Sequence, residues 1–267
     1  MTGRADAAEH RFRLTLHYDG SGFAGWQVQP GERTVQGELE AALDRLTGQT
    51  ARVIAAGRTD AGVHATGQVV GIPIPAKWSP EELRRALNAV LPRDVWVAAA
   101  ATAPPGFHAR YDAVARGYVY RLGTADVARS PFVRRWCWPL GQPVSLAALN
   151  DAAARFHGEH SFRAFAKSGQ PERGEQCNVL RAEWRAAPHA TITFHVAANR
   201  FLHHMVRYMV GTMVDVARER RAAADIDGLL RGDPGVETSP PAPPEGLYLT
   251  RVYYENDDLD AADEIFP

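Results

Sequence analysis

The chain is short of cysteine, lysine and long apolar runs. Its two cysteines, Cys137 and Cys177, are too few for a disulfide framework or a four-thiolate zinc site. No stretch approaches the roughly 18 apolar residues of a membrane span. The polar N-terminus M-T-G-R-A-D-A-A-E-H lacks the apolar core of a secretion signal. A cytoplasmic protein without membrane attachment is the expectation. Only two of the thirty basic residues are lysine, Lys77 and Lys167. Arginine's planar fork suits phosphates and base stacking, although a genome rich in arginine and alanine codons produces the same bias.

Ten histidines are present, but their spacing does not suggest a metal site. On a helix, adjacent His203 and His204 would diverge by about 100°. F-H-G-E-H-S-F (156–162) is not H-E-x-x-H, and the Asp60/His64 pair has no third ligand. No catalytic metal is expected.

At 267 residues, with 45% hydrophobic and 23% charged, the composition is that of a globular protein. The length allows one large domain or two lobes of about 110–130 residues. The net charge of −1 hides an asymmetry. Setting aside the six acids in residues 255–267 leaves about +5 on residues 1–254. The acidic tail reads as disordered.

Phe12, Leu14, Leu16 and Tyr18 alternate with polar residues as in a half-buried strand. D-G-S-G-F-A-G-W is a loop, and Thr34 caps a helix stopped by Gly48. A short strand is expected near 52–55 and a longer one over 67–74. Ser79, Pro80 and Glu82 form a capping box for a helix to about Val90, followed by a strand over 94–99. Further on, the pattern predicts a strand over 113–122, a helix over 145–156 and a hairpin of 179–186 with 191–198. It then predicts a long helix over 199–221 and a closing strand over 247–254. Residues 168–176 read as a mobile loop and S-P-P-A-P-P-E-G as an extended linker. Hairpins beside helices argue for antiparallel α+β lobes.

Three stretches carry chemistry. In A-A-G-R-T-D-A-G-V-H-A (55–65), Asp60 is an ionised carboxylate able to act as nucleophile or base. Arg58 can hold it charged or handle a phosphate. Gly57 and Gly62 permit a tight bend that a planar substrate can approach. The same string also fits an Asp closing a turn on its own backbone, and His64 fits a structural donor. On the long helix, Leu202, Met205, Val206, Met209, Met213 and Val216 would form the core stripe. Arg200, His203, His204, Arg207 and Gly211 would face away, either as an anion-binding face or as an exposed polar one, with Gly211 leaving room for something to lie against the helix. In A-R-G-Y-V-Y-R, Arg116, Tyr118 and Tyr120 would share one sheet face. That pattern suits base stacking or, equally, an ordinary core strand with tyrosine hydroxyls at its rim.

Together these stretches resemble the tRNA pseudouridine synthase A family over roughly residues 11–254. The resemblance is carried by Y-D-G-S-G-F-A-G-W-Q at Tyr18, T-V-Q-G-E-L-E at Thr34, G-R-T-D-A-G-V-H-A at Gly57 and A-R-G-Y-V-Y at Ala115. N-R-F-L-H-H-M-V-R-Y-M-V-G at Asn199 and A-P-P-E-G-L-Y-L at Ala242 complete it. It implies an α+β fold of two similar lobes, each an antiparallel sheet with helices on one face, around a central positive cleft. The expected divisions are 1–10 flexible, 11–112 the lobe carrying the Asp loop, 113–254 the second lobe and 255–267 the tail. It implies an isomerase of uridine at tRNA positions 38 to 40, working without a cofactor, as a homodimer gripping the anticodon stem-loop across both subunits.

By the same resemblance Asp60 is the catalytic nucleophile, attacking base or sugar or acting by way of a glycal. Arg58 holds the place of the everted base, Tyr118 stacks on that base, and Arg207 pairs with Asp60. His64, Arg116, Arg200, His203 and His204 are further candidate RNA contacts. Rival readings are a non-catalytic RNA-binding or folding protein, a synthase with other target sites, and a metal-dependent hydrolase of nucleotides.

Overall fold

The structure, a computed structural model, describes residues 9–75, 78–167 and 174–258. Most of the expected flexible N-terminus, most of the acidic tail and residues 168–173 of the expected mobile loop lie outside the described residues. The fold is mixed α+β with ten strands and five α-helices among the described residues. No described helix is long and apolar enough to cross a membrane. The described chain divides into two compact units. One runs to Val114 and takes in the residues from Arg251 onward, and the other is Ala115–Thr250.

In the first unit, strand β1 (Glu9–Tyr18) is followed by helix α1 (Val35–Thr47), the short β2 (Ile54–Ala55) and β3 (His64–Pro75). Helix α2 (Pro80–Val90) and β4 (Val95–Thr102) complete it. β1 lies between β3 and β4 and is antiparallel to both, with β2 added outside β3. Phe12, Leu14 and Leu16 point alternately into the core with Val70, Ile72, Val97 and the α1 and α2 residues Leu39, Leu43, Leu83 and Leu87. The helix boundaries follow their local signals. Thr34 accepts the Gly37 N–H at 3.2 Å, and Gly48 ends α1 at φ +68°. Ser79 and Glu82 close a reciprocal capping box. Asn88 seals β4's outer edge, donating to Val97 O at 3.0 Å and accepting its N–H at 2.8 Å.

The second unit holds β5 (Ala115–Gly123), β6 (Trp138–Pro139), α3 (Leu146–Ala154), β7 (Gly158–Ser161), β8 (Gln176–Ala187) and β9 (Thr191–Ala198). After these come α4 (Met205–Ala217), α5 (Ala224–Arg231) and most of β10 (Leu247–Tyr253). The strand order β5-β9-β8-β7 is antiparallel, with β6 running parallel beside β5. The expected hairpin is present as β8–β9.

The long helix is not as expected. Residues 199–204 are not helical, and α4 begins only at Met205, after His204 in the left-handed region at φ +65°. The periodicity continues upstream, but tertiary contacts claim the backbone. Arg116 Nη1 donates to Asn199 O at 3.2 Å, and Lys167 N–H donates to His203 O at 3.0 Å. At its other end α4 stops four residues early, and α5 follows where no helix is expected.

Candidate active site

The loop joining β2 to β3 carries Arg58 and Asp60, and its shape is imposed from below. Tyr18 and Thr59 share a hydrogen bond of 2.8 Å between their hydroxyls, and the Gln68 amide nitrogen Nε2 donates to Gly57 O at 2.9 Å. Tyr18 and Gln68 are buried on neighbouring strands, so two points of the loop hang from the sheet. Burial pushes the Tyr18 phenol well above its usual range, and its hydrogen bonds with Thr59 and Gln68 only partly offset this. It therefore serves as a neutral bridge.

A second support comes from the side. Trp26 N–H donates to Thr59 O at 3.0 Å, and Gly25, at φ +99°, lies so close that a Cβ there would stand 2.8 Å from that carbonyl. A Cβ on Gly20 would meet Val63 O at 2.0 Å. Gly62, at φ +80°, lets the Val63 N–H turn back to Asp60 O at 3.2 Å. The supporting loop is itself braced. Arg33 donates to both oxygens of Asp94 at 2.7 and 2.9 Å, to Glu38 at 2.7 Å, and covers the Phe23 ring. Along the strung loop Arg58 is exposed, Thr59 buried and Asp60 half-buried.

His64 is 1% exposed, its Nδ1 accepting the Gly20 N–H at 3.1 Å and lying 3.3 Å from Asp19 Oδ1. It sits inside the first unit, tying the start of β3 to the loop after β1, which is the structural option its sequence position left open. Burial raises the Asp19 carboxyl, but the adjacent His64 ring and the hydrogen bonds donated by the Ser21 hydroxyl and N–H outweigh it and hold the group below the usual carboxylate range. Gly20 to Gly25 also spells G-x-G-x-x-G. That string opens a three-residue 3-10 turn instead of a helix, so it lacks the helix N-terminus a dinucleotide fingerprint needs.

In the second unit Tyr118 is 8% exposed on β5, its ring edge-on to Phe201 with centroids 5.0 Å apart. Tyr120 is core. Its hydroxyl donates to Pro243 O at 2.9 Å, and a Cβ on Gly246 would come within 2.7 Å of its ring. Arg116, Arg200, His203 and His204 belong to the non-helical segment before α4 or reach into it, and do not form a helix face. Arg200 Nη1 donates to Gly174 O at 3.1 Å, and the His203 and His204 rings meet with centroids 4.2 Å apart.

Arg207 is on α4, clamped in both directions to a second segment: its Nε donates to Ala242 O at 2.7 Å and its carbonyl accepts the Ala242 N–H at 2.9 Å. Gly211 does not leave an open space, because Pro240 O already lies 2.1 Å from where its Cβ would be. The run S-P-P-A-P-P-E-G is thus a strap packed on α4 instead of a linker. Its prolines have no N–H to satisfy, and Arg207 takes that of Ala242. Tyr18 and Gln68, which hold the Asp60 loop, and this strap, which holds Arg207, are absent from the candidates expected from the sequence. The visible signals were a lone glutamine in the apolar run 65–74 and alanine between two proline pairs.

A family model described as "tRNA pseudouridine synthase" matches residues 15–112 and 152–255. The tRNA pseudouridine synthase A of Moorella thermoacetica is 44% identical over 244 residues, covering 91% of this chain and 98% of that protein. The protein of the same name from Geobacillus kaustophilus is 41% identical over 250 residues, covering 93% and 96%. That from Methylobacterium radiotolerans is 41% identical over 253 residues, covering 92% and 98%.

Proposed function

The chain belongs to the tRNA pseudouridine synthase family, a family of isomerases, and from that membership we propose that it converts uridine to pseudouridine at positions 38 to 40 of the tRNA anticodon stem-loop, with Asp60 as nucleophile. In this reaction the bond from ribose C1′ to uracil N1 breaks and one from C1′ to C5 forms. N1 gains a proton and C5 loses one, so bonds and electrons balance within one nucleotide and no cofactor is required. The observation that carries the reading is the Asp60 loop. It holds a half-buried carboxylate next to an exposed guanidinium, fixed from below by Tyr18 and Gln68 and from the side by Gly25 and Trp26. Preorganisation of this kind is what a nucleophile needs to meet one atom of a bulky substrate.

The target uridine must leave its stack, at a cost of a few kcal/mol. Arg58, exposed beside the nucleophile, holds the vacated place in the helix. Tyr118 offers its ring to the everted uracil, and Arg207 pairs with the Asp60 carboxylate and orients it. Arg116, Arg200, His203 and His204 serve the RNA backbone, which makes binding strongly salt-dependent. In this reading the enzyme works as a homodimer in the cytoplasm, with the anticodon arm lying across both subunits. The test is to incubate the pure protein with unmodified tRNA, without added metal and both with and without a chelator, and to map pseudouridine by base. Product confined to positions 38 to 40 supports the proposal. Tight binding with no product assigns an RNA-folding role instead, product elsewhere assigns other targets, and product abolished by the chelator assigns a metal enzyme.

A further inference from the structure

The turn between β4 and β5 carries a group of side chains that the proposed reaction does not use. Tyr111 is 61% exposed and stacks on His108, with centroids 4.1 Å apart and planes at 32°. The Arg110 guanidinium lies 6.0 Å from the Tyr111 ring centroid. Behind these groups the turn is closed on itself. His108 Nδ1 accepts the N–H groups of both Arg110 and Tyr111 at 3.2 Å, and Asp112 Oδ2 accepts the His108 N–H at 2.8 Å. The Asp112 N–H returns to His108 O at 3.0 Å, and the Tyr254 hydroxyl donates to Ala109 O at 2.9 Å. Ala109 is 1% exposed, while Phe107 packs on the Tyr254 ring at 5.3 Å.

We propose that this turn, Phe107–Asp112, is a second RNA-contact site, a rigid platform on which an unpaired nucleotide other than the reacting uridine stacks. The proposal rests on the reading of the protein as an RNA enzyme and adds a contact away from Asp60. An aromatic pair already fixed by its own backbone loses little freedom when a base lies on it. The adjoining Arg110 meets the phosphate of that nucleotide, and the carboxylate of Asp112 in the same turn is turned to the His108 N–H. A guanidinium beside an exposed ring is the combination that binds single-stranded nucleic acid without regard to base identity. The platform is about one ring wide, whereas a stable protein interface needs roughly 800 Å² from each partner.

The experiment compares the wild type with Tyr111→Ala, Tyr111→Phe and Arg110→Gln, measuring tRNA affinity by fluorescence anisotropy over a salt series. It also measures single-turnover pseudouridine formation at saturating tRNA. Tyr111→Ala is expected to raise Kd about tenfold or more with the saturated rate unchanged, and Tyr111→Phe to stay within about twofold of wild type. Arg110→Gln is expected to flatten the slope of log affinity against log salt by roughly 0.7–0.9. If Tyr111→Ala fails to fold, the Arg110→Gln slope decides alone.

A wild-type Kd in Tyr111→Ala overturns the proposal, as does an unchanged slope in Arg110→Gln. A change in oligomeric state with tRNA affinity intact also overturns it, by assigning the turn to a protein partner. Pseudouridine formation by a wild type whose tRNA affinity does not depend on Tyr111 refutes only this platform. Tyr111-dependent binding by a wild type that makes no pseudouridine refutes only the reaction.

Discussion

Replacing Gly25 by alanine should slow the reaction by moving Asp60, although residue 25 carries no functional group. The new Cβ would lie 2.8 Å from Thr59 O, 3.2 Å from Ala61 N and 3.2 Å from Asp60 C. That is about 0.6 Å inside an ordinary contact of 3.4 Å, and the atoms it meets are backbone. The loop around Gly25 cannot easily retreat, because Ala24 N–H is bonded to Arg33 O at 2.9 Å and Arg33 is locked to Asp94 and Glu38. The Asp60 loop must therefore yield. A reacting group tolerates about 0.5 Å of misplacement, and about 1 Å can cost 10²-fold, so single-turnover pseudouridine formation should fall roughly tenfold with tRNA affinity near wild type.

Gly31→Ala is the matched control. Its φ is +77°, so it carries similar backbone strain of about 1–2 kcal/mol, but nothing lies within 4 Å of its added Cβ. Both variants should melt a few degrees lower, at roughly 2–4 °C per kcal/mol. Only Gly25→Ala should lose rate. Equal rates in the two variants would refute the idea that this glycine sets the position of Asp60.

Tyr18→Phe leaves the Thr59 hydroxyl and the Gln68 amide buried with a lost partner, and should cost about 1–3 kcal/mol in urea melts together with a drop in kcat greater than any change in KM. Gly211→Ala drives a methyl against Pro240 O and should destabilise the second unit by more than 2 kcal/mol, since the strap held by Arg207 must be displaced; a melting temperature equal to wild type would refute the strap. The depressed Asp19 carboxyl stabilises the folded state above the ordinary carboxylate pKa near ~4, and that contribution is lost as pH falls. Asp19→Asn should therefore melt below the wild type at pH 7, with the gap narrowing towards pH 3.

What could be read from the sequence was whatever local chemistry decides. Thr34, Gly48 and the Ser79–Glu82 box end helices where expected, because each satisfies backbone groups within a turn of itself. The alternation of β1 and the β8–β9 hairpin were legible for the same reason. The start of α4 was not, because Arg116 and Lys167, distant in sequence, capture the carbonyls of Asn199 and His203. Gly211 seemed to leave room because nothing local shows that Pro240 fills it. At the site, the string around Asp60 was conspicuous, but its supports were hidden. Tyr18 lies 41 positions from Thr59, and only the register of β1 on β3, with Leu16 opposite Gln68, brings Tyr18, Gln68 and the loop together.

The central claim is that the Asp60 carboxylate performs the chemistry. Asp60→Asn keeps the size and half-buried setting of the side chain while removing its charge, so it isolates that claim. Under single-turnover conditions with saturating unmodified tRNA, the variant should bind tRNA and form no detectable pseudouridine. Pseudouridine appearing at the wild-type rate would contradict the account.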